Sequence, residues 1–450
     1  MKFTTAVEDV AALLPPTGFA ELARNVEPEW IADALKATGV SSLRRRKLPA
    51  EIVVWLVIAM ALFRDRSILA VVTHLGLALD RESATGHGVV VPGAIPRARA
   101  RVGDKPLEAL FNQTATVWAH EAADRDRWRK LAVYAMDGTT VRIPDTAENE
   151  EHFGRPKSSR GPSAYPQVRL AALNVPRSHL LAGLALGSYT SSEGALAAQL
   201  WERVPDTSVV LLDRGFLAYG RLHSLQHSGN DRHWLIRAKS NTRMTVIRSN
   251  APGDDVVQLR FSAPTRAEQP ELPAFLEARA IRVERPGFRP TWLLTSLMDA
   301  TAYPAAEVAA LYRERWEIEL GFDEAKTHML ERGESIRSKT PIGVLQELWG
   351  IGIGFNLVRL MMARAATARG LSPRRISFWN ALLSIRNFSV MAWNDAVGAL
   401  PRLLQALQRD LGLLLLPERR PRRSFPRTVK IKMSNYPRNT GRARHLAPPK

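Results

Sequence analysis

The sequence of 450 residues contains no cysteine. Disulfide bridges and thiolate metal sites are therefore excluded. A chain of this length is long enough to bury two to four hydrophobic cores without such cross-links. The absence of disulfides fits a reducing compartment, and we expect a cytoplasmic protein.

Long apolar segments are also missing. The longest apolar run, residues 52–63, has 12 residues and ends at Arg64. A helix needs about 20 apolar residues to span a bilayer, so this run predicts a buried helix. The N-terminus carries Glu8 and Asp9 where a secretory signal would be apolar. We therefore expect no membrane partner.

Acidic residues are outnumbered: 44 Asp and Glu face 63 Lys and Arg, which gives a formal net charge of +19. Such a balance favours a polyanionic partner, most often nucleic acid. Basic residues cluster at 44–47 and 97–105, and residues 417–450 hold 11 Lys and Arg against one acid. A basic run is often only a solvated face, but in this chain DNA contact is an equal alternative.

The pattern of apolar residues changes along the chain and predicts an α/β fold. Helical periodicity comes first, then short apolar strands alternate with helices, and Pro-rich turns later separate further strands. We predict a mixed sheet core with helices on its faces and a β insertion. The predicted units are a helical N-terminal DNA-binding domain (1–125), the first part of the core (126–240), the insertion (241–297), the second part of the core (298–365), C-terminal helices (366–416) and a basic tail (417–450).

Two predicted strands end in aspartate. The run 131–136 leads to Asp137-Gly138-Thr139, and the run 208–212 leads to Asp213-Arg214-Gly215. Ligands and metals collect at strand ends in open α/β sheets. An aspartate there is also a common way to start a turn. The two together, with an acidic helix downstream, favour the functional interpretation.

That helix is predicted as one element over residues 311–330. At about 100° per residue, Tyr312, Arg315, Glu319 and Lys326 share an arc about 60° wide. Asp323 lies one turn beyond Glu319 on the same side. A carboxylate beside a phenol, a guanidinium and an ammonium suits a site for metal and phosphate, although a solvated charged helix is the alternative.

The spacing of these four residues resembles the YREK signature of the insertion-sequence-four family of bacterial DDE transposases. Asp137 and Asp213 are similar to the first and second aspartate motifs of that family, and a β insertion before the glutamate is also typical of it. The resemblance spans roughly residues 10 to 440. It includes Gly154-Arg155-Pro156 and the segments 165–169 and 337–340.

The resemblance implies a ribonuclease-H-like core with a catalytic and metal-binding triad of Asp137, Asp213 and Glu319. It implies two Mg²⁺ ions, with Mn²⁺ as a substitute. It also implies DNA contacts, which fall on Tyr312, Arg315, Lys326, Arg237, Lys239 and Trp292. The last of these matches a tryptophan that stacks on a flipped base, although a tryptophan in a strand is more often part of a core.

The function implied is cut-and-paste transposition of a bacterial insertion sequence. The partners would be double-stranded DNA, both terminal inverted repeats and target, and a second copy of the chain in a synaptic homodimer. Hairpin DNA ends and association with the nucleoid are further expectations. The alternatives are a ribonuclease-H-type nuclease that cuts without joining and an inactive DNA-binding transposition inhibitor.

Overall fold

The computed structural model describes residues 25–40, 48–74, 93–158, 161–163, 165–284, 289–330, 336–394 and 400–417. The basic cluster at 44–47 and the tail from residue 418 onward lie outside the described residues. Their predicted contact with DNA stays a prediction. Within the described ranges, no helix is both long and apolar enough to cross a membrane.

The strands are short and mostly apolar, as the run lengths predict. They are β1 (Ala132–Arg142), β2 (Lys157–Ser158), β3 (Gly161–Pro162), β4 (Gln167–Asn174), β5 (Leu181–Ser188), β6 (Ser208–Leu212), β7 (Arg232–Arg237), β8 (Thr245–Ala251), β9 (Asp254–Arg260), β10 (Phe275–Val283) and β11 (Thr291–Thr295).

The helices begin and end near the predicted Pro and Gly breaks. They are α1 (Pro28–Ala37), α2 (Ala50–Leu62), α3 (Ile68–His74), α4 (Ala94–Val102), α5 (Lys105–Arg125), α6 (Ala147–Phe153), α7 (Glu193–Ala198), α8 (Tyr219–His227), α9 (Ala263–Glu268), α10 (Ala305–Arg313), α11 (Trp316–Glu324), α12 (Pro341–Thr367), α13 (Phe378–Asn394) and α14 (Leu400–Leu411).

One mixed sheet organises the molecule, and the predicted α/β fold is confirmed. Its strand order is β5-β4-β1-β6-β7-β11-β10-β9-β8 in the part of the chain that the structure describes. The first three core strands pair antiparallel, whereas β6 and β7 run parallel to β1. This is the arrangement of a ribonuclease-H-like core.

The strands of the predicted insertion continue this sheet. Strand β11 pairs antiparallel with β7, with Leu294 opposite Ile236. Beyond it, β10, β9 and β8 add on in antiparallel order. The insertion therefore extends the core sheet beyond β7, the strand that lies next to β6.

Strand β1 is longer than predicted, and the expected strand end at Asp137 is wrong. Its parallel pairing with β6 ends at Met136. Its antiparallel pairing with β4 continues from Asp137 to Arg142, and these hydrogen bonds keep the backbone extended. Asp137 therefore lies inside a strand, at the level where the neighbouring strand β6 stops.

Helix α12 forms the centre of the larger core. Thr340 caps it by accepting a hydrogen bond from the Gly343 amide at 3.3 Å, and Pro341 occupies the first turn, where a missing N–H costs nothing. It is mostly apolar and is buried on nearly all sides, as is α2.

The helices before the sheet share that core. One continuous cluster of buried residues includes Val26 in the N-terminal region, Tyr134 in β1 and Leu411 at the end of α14. A smaller cluster on the other face of the sheet joins β1, β6 and β7 to α10 and α11.

The predicted basic cluster at 97–105 is only partly exposed to solvent. Arg99 is buried and donates to Gln346 Oε1 at 3.1 Å and to Ser338 Oγ at 2.9 Å. Arg101 donates to the Leu48 carbonyl oxygen at 2.8 Å. These two guanidinium groups are therefore held by protein contacts and do not form the uniform DNA-facing surface that the charge pattern suggested.

Candidate active site

Two aspartates lie side by side on neighbouring parallel strands. Met136 pairs with Leu212, so Asp137 and Asp213 follow at the same level. Asp137 accepts a hydrogen bond from the Gly138 amide at 2.8 Å. Asp213 begins a tight turn, and its carboxylate accepts from the Gly215 amide at 3.3 Å. The sheet thus presents two carboxylates at one edge of the β1–β6 pair.

The predicted single helix over 311–330 is interrupted, and that prediction is wrong in this respect. Helix α10 ends at Arg313 and α11 begins at Trp316. Between them the backbone tightens: the Arg315 amide bonds to the Tyr312 carbonyl and the Ile318 amide to the Arg315 carbonyl, each three residues back. After α11 the chain widens into a π-helical turn at Ala325–Met329, a feature often found at functional sites.

Despite these interruptions, the predicted arc does converge on the two strands. Tyr312 Oη donates to the carbonyl oxygen of Leu212, the residue before Asp213, at 3.1 Å. Arg315 Nη2 lies 2.7 Å from Glu319 Oε1, and Nη1 lies 3.8 Å from Asp137 Oδ2. Lys326 Nζ donates to the hydroxyl of Thr139 in β1.

Asp323, the alternative third carboxylate, is exposed and accepts a hydrogen bond from Thr327 Oγ1 at 3.2 Å. Glu319 is 35% exposed and bound to Arg315. The structure therefore brings Glu319 into the group with Asp137 and leaves Asp323 on the outer side of the helix.

Burial sets the protonation of this group. It raises the pKa of Asp137 to about 6, an effect that the charges of Glu319 and Asp213 increase and Arg315 opposes. Burial raises the pKa of Tyr312 to about 12, so the phenol is a neutral donor at physiological pH. Burial lowers the pKa of Lys326, and the nearby carboxylates of Asp137 and Asp323 work against that shift.

The raised pKa predicts a stability effect at Asp137. The pKa of Asp137 in the folded state lies above its value in the unfolded state. The contribution of this group to stability is therefore fully present below about pH 4 and is lost as the pH rises through about 6. Asp137→Asn should therefore raise the free energy of unfolding by roughly 1–3 kcal/mol at pH 7.5 in EDTA. Urea titrations at pH 4 and 7.5 test this. A gain of equal size at both pH values, or a similar gain from Asp323→Asn, would contradict it.

The donor set fits hard divalent cations. Three carboxylates offer only oxygen ligands, which Mg²⁺ prefers, and Asp137 is desolvated beside two other acids. Within the described residues, no three acidic or histidine side chains are already gathered at ligand distance. The guanidinium of Arg315 instead bridges Glu319 and Asp137, as a positive charge between two acids should.

A basic cleft of about 860 Å³ lies next to the aspartates. Arg237, at the end of β7, is the register neighbour of Asp213, and Lys239 follows it. Five cationic side chains line the cleft, which also includes Tyr312, Met244 and Trp292; the five are Arg214, Arg237, Lys239, Arg289 and Arg313. None of the described residues that line the cleft is a carboxylate, so it suits an anionic ligand.

Trp292 lies at the wall of this cleft. As strand alternation predicts, Trp292 and Leu294 face the larger core and Leu293 faces the smaller one. Leu294 is fully buried, whereas Trp292 is half-buried, and its carbonyl accepts from the Ala238 amide at 2.9 Å. The indole therefore has one side in the core and one side at the cleft.

Other motif residues are structural in this fold. Arg155 is buried and donates to Asp145 at 2.5 Å and to Glu150 at 2.8 Å, which fastens the loop after α6. Four further residues near the site were not expected to be functional: Thr139, Arg214, Arg289 and Arg313. The first two belong to the aspartate motifs, and Arg313 follows Tyr312, so the sequence did offer a signal for these three. Arg289 lies far from every motif in sequence, and only the fold brings it to the cleft.

Comparison with known proteins agrees with this geometry. Residues 16–112 match the family model described as insertion element 4 transposase N-terminal, and residues 128–357 match the model described as transposase DDE domain. The chain is 36% identical over 413 residues to "Transposase InsG for insertion sequence element IS4" of Escherichia coli, covering 92% of each chain.

Among solved structures, the chain is similar to that titled "Cryo-EM structure of piggyBac transposase synaptic complex with hairpin DNA". The identity is 13%, the TM-score is 0.40, and 90% of this chain and 86% of the other are covered. A likeness at that level is too weak to support an inference.

The ribonuclease-H-like sheet lies within a DDE transposase domain that covers half of the chain. Together they define an enzyme that cuts DNA and transfers the cut strand. DNA is its substrate, and enzymes of this type use divalent metal ions. The chain belongs to the insertion-sequence-four family of DDE transposases, the group that the YREK spacing indicated. That prediction of family, fold and activity is confirmed.

Proposed function

We propose that Asp137, Asp213 and Glu319 are the catalytic carboxylates and hold two Mg²⁺ ions, for which Mn²⁺ can substitute. One observation carries this proposal: Arg315, in the turn before α11, and Glu319, in α11, lie beside the two aspartates on neighbouring parallel strands. Bound there, such ions would make a water or 3′-hydroxyl nucleophilic and stabilise charge on the leaving oxygen.

The cations around the carboxylates would bind the DNA backbone. Arg315 can grip a phosphate with two parallel donors, whereas Lys326 acts as a point charge. Tyr312 stays neutral, and its one O–H, which is donated to the Leu212 carbonyl oxygen at 3.1 Å, would have to turn from that partner to reach a phosphate. None of the three needs to move a proton, so their contribution is binding and orientation of the phosphate near the cut.

These contacts predict the salt dependence of DNA binding. Arg315→Ala and Lys326→Ala should each weaken binding of a transposon end and reduce the slope of log K against log salt by about one. Arg129→Ala is the matched control, because that side chain is already bound to Glu307 at 2.7 Å. Fluorescence titrations over a salt series give the slope. An unchanged slope in both site variants would contradict the backbone contacts.

The neighbouring cleft would hold nucleotides close to the cut. Arg237 and Lys239 would contact their phosphates, and Trp292 would stack on a flipped base. Taking a base out of the duplex costs a few kcal/mol, and stacking on an aromatic ring returns roughly 1–3 kcal/mol. The half-buried position of Trp292 at the cleft supports this role, which would serve a hairpin intermediate at each end.

Trp292 therefore has a testable role distinct from packing. Trp292→Ala should fold, make the first nick at the normal rate, and slow hairpin formation by about 10- to 100-fold, the equivalent of the lost stacking. Leu294→Ala, on the same face but fully buried, should cost about 2–5 kcal/mol of stability and slow every step alike. If Trp292→Ala behaves like Leu294→Ala in thermal melts and gels, the ring belongs to the core alone.

The whole proposal is cut-and-paste transposition by a homodimer that pairs two terminal inverted repeats and joins them to target DNA. Incubating the protein with a duplex that carries the end of its own element, then resolving the products on denaturing gels, tests it. We expect Mg²⁺-dependent nicks, hairpins and joined products. Nicks without joining would favour the nuclease alternative, and binding without nicks would favour the transposition inhibitor.

A further inference from the structure

Helix α11 carries Glu319 but is interrupted at both ends. It has nine residues, Trp316–Glu324, between the tight turn at Arg315 and the π-helical turn that follows. Its rotation about its own axis is therefore also set by the contacts that the helix itself makes with its neighbours.

On the face of α11 away from Asp137, two glutamates lie against the same side chain, that of His179. Glu317 Oε2 lies 3.0 Å from His179 Nε2, and Glu324 Oε2 lies 3.1 Å from Nδ1. These two glutamates are two turns apart on the helix and flank Glu319 in sequence. One imidazole thus contacts the helix at two points, one on each side of the proposed metal ligand.

The backbone of His179 has an unfavourable conformation at the point where its side chain makes these contacts. It lies in the turn between β4 and β5 with a φ of +62°, a region that residues other than glycine seldom adopt. The turn is closed by a hydrogen bond from its amide to the Val175 carbonyl at 2.8 Å. Such strain often marks positions where the side chain is needed in one place.

The contacts fix the tautomer of His179. Arg359 Nη2 lies 2.6 Å from Nδ1, and a guanidinium can only donate. Nδ1 therefore accepts from Arg359, and the Nε2 hydrogen is donated to Glu317. The Glu324 carboxylate cannot donate to Nδ1, so it is joined to the ring through Arg359, which contacts both groups. Burial, with the charge of Arg359, lowers the pKa of His179 to about 4, which keeps the ring neutral.

The remaining charges close the network. Arg359 is fully buried in α12 and pairs with Glu324, and Arg374 pairs with Glu317 at 3.2 Å. Two cations and two carboxylates thus surround one neutral imidazole. This network joins α11 to the turn between β4 and β5, to α12 and to the segment that follows α12.

We propose that His179 is a positioning residue for Glu319, and that its neutral ring sets the rotation of α11 toward the two aspartates. The inference rests on the proposed function, because it takes Glu319 as a metal ligand. Residues that orient a ligand from behind typically change metal affinity by about 10- to 100-fold when they are replaced.

The test is the affinity of the DNA-free protein for Mn²⁺, measured by electron paramagnetic resonance. His179→Leu should weaken it about 10-fold or more. His179→Gln should stay close to the wild type, because an amide can donate to Glu317 and accept from Arg359. If His179→Leu does not fold, Glu324→Gln, which removes the charge that pairs with Arg359 and so joins the ring to this end of the helix, should weaken Mn²⁺ binding in the same direction.

The control is His120→Leu. His120 is another histidine whose pKa burial lowers to about 4, and it bonds to Tyr134 Oη at 2.7 Å on the opposite face of the sheet. This variant should lose stability but keep its Mn²⁺ affinity. Equal losses of affinity in both leucine variants, or wild-type affinity in His179→Leu and Glu324→Gln, would overturn the positioning role. Wild-type affinity in Glu319→Gln would instead overturn the proposed function.

Discussion

Replacing Asp137 or Asp213 with Asn, or Glu319 with Gln, should abolish DNA cleavage while leaving the affinity for transposon ends largely intact. The three changes keep the shape of each side chain but remove the negative charge that a divalent cation needs. The cations around the site, which bind phosphate, remain in place. Single-turnover cleavage on gels, beside a binding titration in EDTA, measures both quantities.

Asp323→Asn is the matched control for this experiment. Asp323 lies one turn beyond Glu319 but is exposed and bound only to Thr327 among the described contacts. It should cleave at close to the wild-type rate. Cleavage that survives Glu319→Gln but disappears in Asp323→Asn would move the third ligand along the helix, and wild-type cleavage in EDTA would exclude a metal site altogether.

The second large effect should come from Glu347 in α12, far from the chemistry. This buried carboxylate lies 3.0 Å from Arg64 and 3.9 Å from Arg99, and it also accepts hydrogen bonds from Ser338 and the Arg337 amide. Glu347→Ala removes the carboxylate that these two buried guanidinium groups share. Breaking such a pair costs about 3–5 kcal/mol, and urea unfolding should report a loss of that size.

Two controls frame this result. Glu347→Gln preserves the shape and one of the two accepting oxygens, and it should lose less stability than Glu347→Ala. Glu108→Ala breaks the exposed pair with Lys105, which has a 2.7 Å contact, and should change stability by less than about 1 kcal/mol. If Glu347→Ala costs no more than Glu108→Ala, the buried network does not hold the N-terminal helices to α12.

The mixed sheet and the grouping of the candidate site residues could be predicted because both leave local signals. Apolar runs located β6 and the first half of β1, and the helical spacing of Tyr312, Glu319 and Lys326 predicted that they converge. The signal was local in each case: strand alternation, helix periodicity and aspartates that follow apolar runs.

What could not be predicted depends on pairing between distant segments. The length of β1 is set by β4, which keeps its hydrogen bonds beyond the point where β6 ends. Likewise, Arg99 looks like a surface cation in sequence, and only its contacts with Ser338 and Gln346 in the fold take it inside. No Pro or Gly marks the break before α11 in the sequence. Tyr312 lies near this break and donates a hydrogen bond to the Leu212 carbonyl oxygen at the end of β6.

The shared core between the N-terminal helices and the sheet has a consequence for how the enzyme measures DNA. One continuous set of buried side chains runs from Val26 to Leu411, and Arg64 is locked onto Glu347 within it. The described helices before residue 125 and the sheet after it pack into this one core, so a swing of the helices relative to the sheet would break it. A DNA sequence bound by those helices would therefore lie a fixed number of base pairs from the phosphate at Asp137. The distance between the two sites in the protein would then determine where the DNA is cut.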